Sequence, residues 1–171
     1  NIWHGVMNNQ NFLTNIDECK EDLQRIRNLI SAIGSMSPVA GYLTKFALIR
    51  VCGTLEICYK TLIADFYESV SPEMQRYITI HVREASLNAK YENIKKVLKE
   101  FSEEKSNDYK NIINARVDKE QILAAMSTLN TARNEVAHGG NMSLSIADIC
   151  NYFEKAVCVL EELDNLFITN N

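Results

Sequence analysis

The chain has 171 residues, 46% of them hydrophobic, and a formal net charge of −4 at pH 7. That is enough length and apolar content for one domain spanning 1–171 with a substantial core. The negative balance argues against broad, sequence-independent capture of DNA, because that affinity rests on clustered cations against phosphate, although it leaves room for a small local site. Two prolines and six glycines are too few for the regular turns of a sandwich or barrel, so the expectation is an all-α helical bundle of five to six helices. The five cysteines are an odd number without CxxC spacing, and they read as buried thiols of a reducing compartment rather than zinc ligands or disulfides. Arg50, Glu56 and Lys60 interrupt the most hydrophobic stretch, so no membrane span is expected. No basic segment leads into an apolar core at the N-terminus, so no signal peptide is expected, and the unpaired cysteines set the expectation of a cytoplasmic location. Asn1 in place of an initiator methionine is compatible with a start inside a longer protein.

In chain order, Leu13, Ile16, Leu23, Ile26, Ile30 and Ile33 recur at helical spacing and predict an amphipathic helix over about 8–33, closed by Gly34. The next helix, about 38–69, is apolar nearly all round and belongs at the centre. Its charges therefore need partners or a water-filled cleft. Glu56 and Lys60 stand at i, i+4, which fits a local ion pair, or alternatively leaves Glu56 to face a site. Ser71-Pro72-Glu73 is a strong helix start, and the stretch it opens runs to Phe101 with a break near Asn88. Lys90, Lys95, Lys96 and Lys99 form the densest basic run, read first as a solvated helix face and otherwise as an RNA-guiding surface. Ser102 to Tyr109 is polar and highly charged and reads as a flexible connector. Asp118 with Gln121 resembles a capping box opening a helix that stops at Gly139-Gly140, and Ser145 with Asp148 opens the last one.

Of three histidines, His4 is near the terminus and His81 lies mid-helix without a nucleophile beside it. No Walker loop, GxGxxG, HExxH or EF-hand pattern occurs, so no cofactor and no metal is expected. His138 differs because it ends a helix before two glycines, five positions after Arg133, which Asn134 follows. Positions five apart on an ideal helix diverge by about 140°. Arg133 and His138 can converge only if the Gly139-Gly140 turn swings the imidazole or if two copies of the chain meet. The plainer reading is ordinary capping by a cation at a helix C-terminus.

The segment Arg133-Asn134-Glu135-Val136-Ala137-His138-Gly139 resembles the R-x4-6-H motif of the HEPN superfamily. Residues 47–60 resemble the apolar, glutamate-bearing helix that precedes the motif helix in HEPN proteins of the RiboL-PSP and MAE type. The resemblance implies an HEPN-like bundle and a metal-independent endoribonuclease that uses the RNA 2′-hydroxyl as nucleophile, leaving a 2′,3′-cyclic phosphate and a 5′-hydroxyl. It implies Arg133 and His138 as catalytic residues, with Asn134 and Glu56 supporting them. It further implies a homodimer with a composite site, and a toxin or defence role in which an antitoxin or other inhibitory protein restrains the activity. HEPN toxins paired with nucleotidyltransferase antitoxins have R-x4-H-x-Tyr, whereas Gly139 and Gly140 follow His138 here, so modification of a motif tyrosine is not expected. The alternative is a non-catalytic HEPN-like module for dimerisation or partner binding.

Overall fold

The computed structural model describes residues 9–67 and 71–168. His4, Asn8 and residues 68–69 at the expected end of the second helix lie outside the described residues. Among these residues there are seven α-helices and no strand: α1 (Gln10–Ile33), α2 (Pro38–Tyr67), α3 (Pro72–Ile78), α4 (Tyr91–Phe101), α5 (Glu103–Ala115), α6 (Lys119–Ala137) and α7 (Ile146–Ile168). A π-helical turn, Thr79–Arg83, extends α3. No helix among them is long and apolar enough to cross a membrane.

The expected helix starts are largely realised by side chains. Asn9 Oδ1 accepts from the Phe12 amide at 2.9 Å, and Ser71 Oγ from that of Met74 at 3.2 Å. Ser145 and Asp148 cap reciprocally: the Ser145 amide donates to Asp148 Oδ2 at 2.9 Å and the Asp148 amide to Ser145 Oγ at 3.1 Å. Asp118 departs from this pattern. Its carboxylate accepts two bonds of 2.8 Å from Arg116 and makes no capping bond to α6, because the guanidinium fork two residues upstream outcompetes a single amide.

Two expectations about the middle of the chain are corrected. The connector expected over Ser102–Tyr109 is the first half of α5, and the helices number seven rather than five to six. Ser102 Oγ accepts from the Lys105 amide at 3.2 Å, Glu103 and Glu104 sit at the positive helix end, and Ser106, Tyr109 and Ile113 are buried. The Tyr109 hydroxyl is satisfied by donating to Val159 O of α7 at 2.8 Å. Three inward positions suffice to dock a helix whose other residues are charged, and net polarity conceals them. The long third stretch does break, over residues 84–90, between the π turn and α4.

Helix α2 is central, packing against α1, α6, α7 and the π turn, with Leu48, Val51, Leu55, Cys58 and Ile63 buried. It is not enclosed all round. Tyr42, Phe46, Ile49 and Ile57 are 73%, 55%, 53% and 50% exposed, and with Val39 and Gly53 they form one stripe at three- and four-residue spacing. Arg50, beside this stripe, is held by Asp22 Oδ2 at 2.9 Å and donates to Thr54 Oγ1 at 2.7 Å. The cysteines are all free thiols: Cys19, Cys52 and Cys58 are buried, whereas Cys150 and Cys158 are only partly so.

Candidate functional site

Helix α6 carries the motif on its last two turns. Its buried face is Ile122, Ala125, Met126, Leu129, Asn130 and Ala132, which aims Arg133 outward. Helical hydrogen bonding continues to the cap, where the His138 amide donates to Asn134 O at 3.1 Å. The chain then closes in a Schellman motif: Gly139 N–H donates to Val136 O at 3.1 Å and Gly140 N–H to Glu135 O at 2.8 Å. Both glycines are required by geometry. Gly139 has φ +78°, and a Cβ on Gly140 would stand 2.9 Å from Glu135 O.

Arg133 lines a polar cleft of about 340 Å³ shared with Glu56 of α2, with Ser86, Leu87, Asn88 and Lys90 of the 84–90 segment, and with Asn93 of α4. Arg133 and Glu56 are thus brought to one cavity. The guanidinium donates to Asn134 Oδ1 at 3.3 Å, which ties the second motif residue to the first. His138 is exposed and is not among the residues lining this cleft. It sits at the helix cap, and within one protomer the turn does not swing it onto the arginine's cavity. His81 stacks on Tyr77, ring centroids 4.3 Å apart, and is not among the residues lining the cleft.

The electrostatics of the cleft are set by α2. Glu56 Oε1 accepts from Lys60 Nζ at 2.6 Å, so the ion pair expected from spacing forms, and Glu56 faces the cavity as well. Lys60 is buried and also donates to Ala85 O. Burial pushes the Cys52 thiol up to about 12, with the nearby Arg133 cation opposing the shift and Glu56 adding to it. Cys52 Sγ donates to Leu129 O at 3.5 Å and remains a thiol packed beneath the motif helix rather than a nucleophile. Among the described residues no group of three His, Cys, Asp or Glu side chains converges.

Sequence reasoning missed Asn88 and Asn93 as cleft residues, and met Lys90 only as part of a basic run. Lys95 and Lys99 of that run pair with Glu92 at 2.9 Å and Glu103 at 3.0 Å, as a solvated face does, while Lys90 alone turns to the cleft. Asn130 was also missed. It is a polar residue on the buried stripe of α6, and that misfit with periodicity is the signal that marks it.

The family model described as RiboL-PSP-HEPN matches residues 14–169. The chain belongs to this HEPN family. The match runs from within α1 through the end of α7, so the resemblance carried by residues 47–60 and 133–139 extends over nearly all of the bundle. Neither curated proteins nor solved structures give a match.

Proposed function

We propose that this HEPN chain is a metal-independent endoribonuclease whose composite active site forms at a homodimer interface. The observation that carries the reading is the disposition of the motif. Arg133 lines a polar cleft beside Glu56, with its one described hydrogen bond going to Asn134, while His138 stands exposed at the cap of the same helix. Arginine offers a permanently charged planar fork for the scissile phosphate and for charge developing on its oxygens. Histidine, ordinarily titrating near neutrality, can take the proton from the 2′-hydroxyl or give one to the leaving 5′-oxygen. Attack of the 2′-oxygen on phosphorus forms the 2′,3′-cyclic phosphate as the bond to the 5′-oxygen breaks. One proton must be removed and one delivered, and each chain supplies one motif histidine.

A second copy supplies the rest. The exposed stripe Val39, Tyr42, Phe46, Ile49, Gly53 and Ile57 runs along α2 up to Glu56, and an exposed apolar helix face of this kind marks an interaction surface. A two-fold through it would set both motif helices beside one interface. The biological setting we infer is a cytoplasmic toxin or defence effector, restrained by an antitoxin or other inhibitory protein. The stripe equally favours a second reading, a non-catalytic dimerisation or partner-binding module, in which His138 has no proton to move.

Sedimentation together with an RNA cleavage assay separates the two. Wild type is expected to sediment as a dimer and cleave RNA, and Phe46→Asp is expected to lose both properties while keeping its helical circular dichroism. A monomeric Phe46→Asp that still cleaves overturns the composite site. A dimer that never cleaves supports the binding module.

A further inference from the structure

The irregular wall of the cleft is held by a set of side-chain donors. Lys60 donates to Ala85 O, Tyr59 to Leu87 O at 2.8 Å, and buried Asn130 of the motif helix to Ala89 O at 2.8 Å. Asn93 Nδ2 donates to Asn88 O at 3.1 Å and to Asn88 Oδ1 at 2.8 Å. With these carbonyls satisfied, the 84–90 segment holds one shape without helix or sheet, and its side chains have defined places in the cleft.

The amide orientations follow from this network. A backbone carbonyl only accepts, so the group that Asn93 turns to Asn88 O is its NH2, and that NH2 spends both hydrogens on Asn88. Asn93 Oδ1 is left as an acceptor. Asn88 Oδ1 is occupied, which leaves its own NH2 as a donor. Neither spare group has a partner among the described residues, and neither is a buried unsatisfied atom. The cleft therefore presents an adjacent acceptor and donor. It also presents two cations, Arg133 and Lys90, against the single carboxylate of Glu56, which Lys60 already engages. Lys90 makes no ion pair among the described residues. A cavity of about 340 Å³ falls in the usual size range of small-molecule sites, about 300–1,000 Å³.

We infer that the cleft seats one nucleotide of single-stranded RNA, with Arg133 and Lys90 on its backbone phosphates and the linked Asn88–Asn93 pair on the edge of its base. Unstacked bases of single strands offer neighbouring donors and acceptors on their edges, and an amide pair of fixed orientation accepts some edges and leaves its own groups unpaired against others. Lys90 is then a binding residue and the asparagine pair a specificity determinant. The inference rests on the ribonuclease reading for its substrate class.

The test uses the full chain and short RNAs that differ at one base. Cleavage kinetics are measured on wild type, Lys90→Gln and Asn88→Ala, and affinity by fluorescence anisotropy in a His138→Ala background. Lys90→Gln is expected to raise KM about 5- to 20-fold with little change in kcat, and to reduce the slope of log affinity against log salt by about 0.7, one single-strand phosphate contact. Asn88→Ala is expected to flatten the base preference about tenfold and leave that slope unchanged. If wild type cleaves RNA but Lys90→Gln keeps KM and slope and Asn88→Ala keeps the preference, the nucleotide seat is wrong and the ribonuclease stands. If RNA binds with the expected losses in both variants but is never cleaved, the seat stands and the ribonuclease falls. Absence of both binding and cleavage removes both.

Discussion

The two walls of the cleft are built in opposite ways. The motif wall is the end of a regular helix whose backbone satisfies itself, so Arg133, which lines the cleft, and Asn134 and His138 beyond it on the same helix end are spared structural duty: two of the three are exposed, and the one side-chain hydrogen bond described among them runs from arginine to asparagine. The facing segment, 84–90, has no regular hydrogen bonding and is fixed by Lys60, Tyr59, Asn93 and Asn130. Regular backbone frees side chains for chemistry, and irregular backbone consumes side chains for support. Substitutions on the first wall should therefore change activity without changing stability, and those behind the second should do the reverse first.

The largest effect is expected at the cap. His138→Ala should lower the rate of RNA cleavage by about 10²- to 10⁴-fold, the usual contribution of a positioned acid or base. It should leave the melting temperature within about 2 °C of wild type, since the side chain is exposed. Arg133→Ala should lose turnover and also some RNA affinity, because on the proposed mechanism the guanidinium would meet phosphate before as well as during the reaction. A large loss of stability in either would erase the contrast between the walls.

Behind the other wall, Lys60→Met removes a buried ammonium and strands both the Glu56 carboxylate, 31% exposed, and the Ala85 carbonyl. Fully buried pairs cost about 3–5 kcal/mol to break, and partial exposure of Glu56 reduces this to about 2 kcal/mol. Chemical denaturation should read that loss directly. Asn130→Ala, which deprives Ala89 O of its donor, should cost about 1–3 kcal/mol by the same measurement. If Asn130→Ala is as stable as wild type, the segment is not held as described.

The smallest effect lies outside the cleft and serves as a reference. Hydrogen bonding to Arg116 holds the Asp118 carboxyl below the usual range. A lowered folded-state pKa contributes stability above the unfolded value, and this is lost as pH falls through the folded one. The melting difference between wild type and Asp118→Asn should thus be present at neutral pH and shrink as pH drops below about 4. A difference that grows on acidification would contradict the pairing.

Much of this was legible in the sequence, for reasons that differ along the chain. The spacing from Leu13 to Ile33 defined α1 because one face of it is buried, and Gly139-Gly140 marked the end of α6 because the backbone there has a positive φ and a close approach. The α5 helix was hidden because charged residues surround its inward Ser106, Tyr109 and Ile113. Apolar content placed α2 at the centre but could not reveal that Tyr42, Phe46 and Ile49 face outward, since periodicity vanishes when both faces are apolar. Arg133 and Glu56 were legible by motif. Asn88 and Asn93 were not, because their place in the cleft depends on tertiary hydrogen bonds reaching in from α2, α4 and α6, which leave no periodic trace.

RNA cleavage by this chain is expected to proceed by 2′-hydroxyl attack without metal. The most direct measurement is digestion of a labelled single-stranded RNA in EDTA, beside the same strand fully 2′-O-methylated, with the product ends identified by mass spectrometry. Cleavage of the unmodified strand to 2′,3′-cyclic phosphate ends, with the methylated strand intact, is the predicted result. Cleavage that requires added divalent metal, or that proceeds equally on the methylated strand, would contradict it.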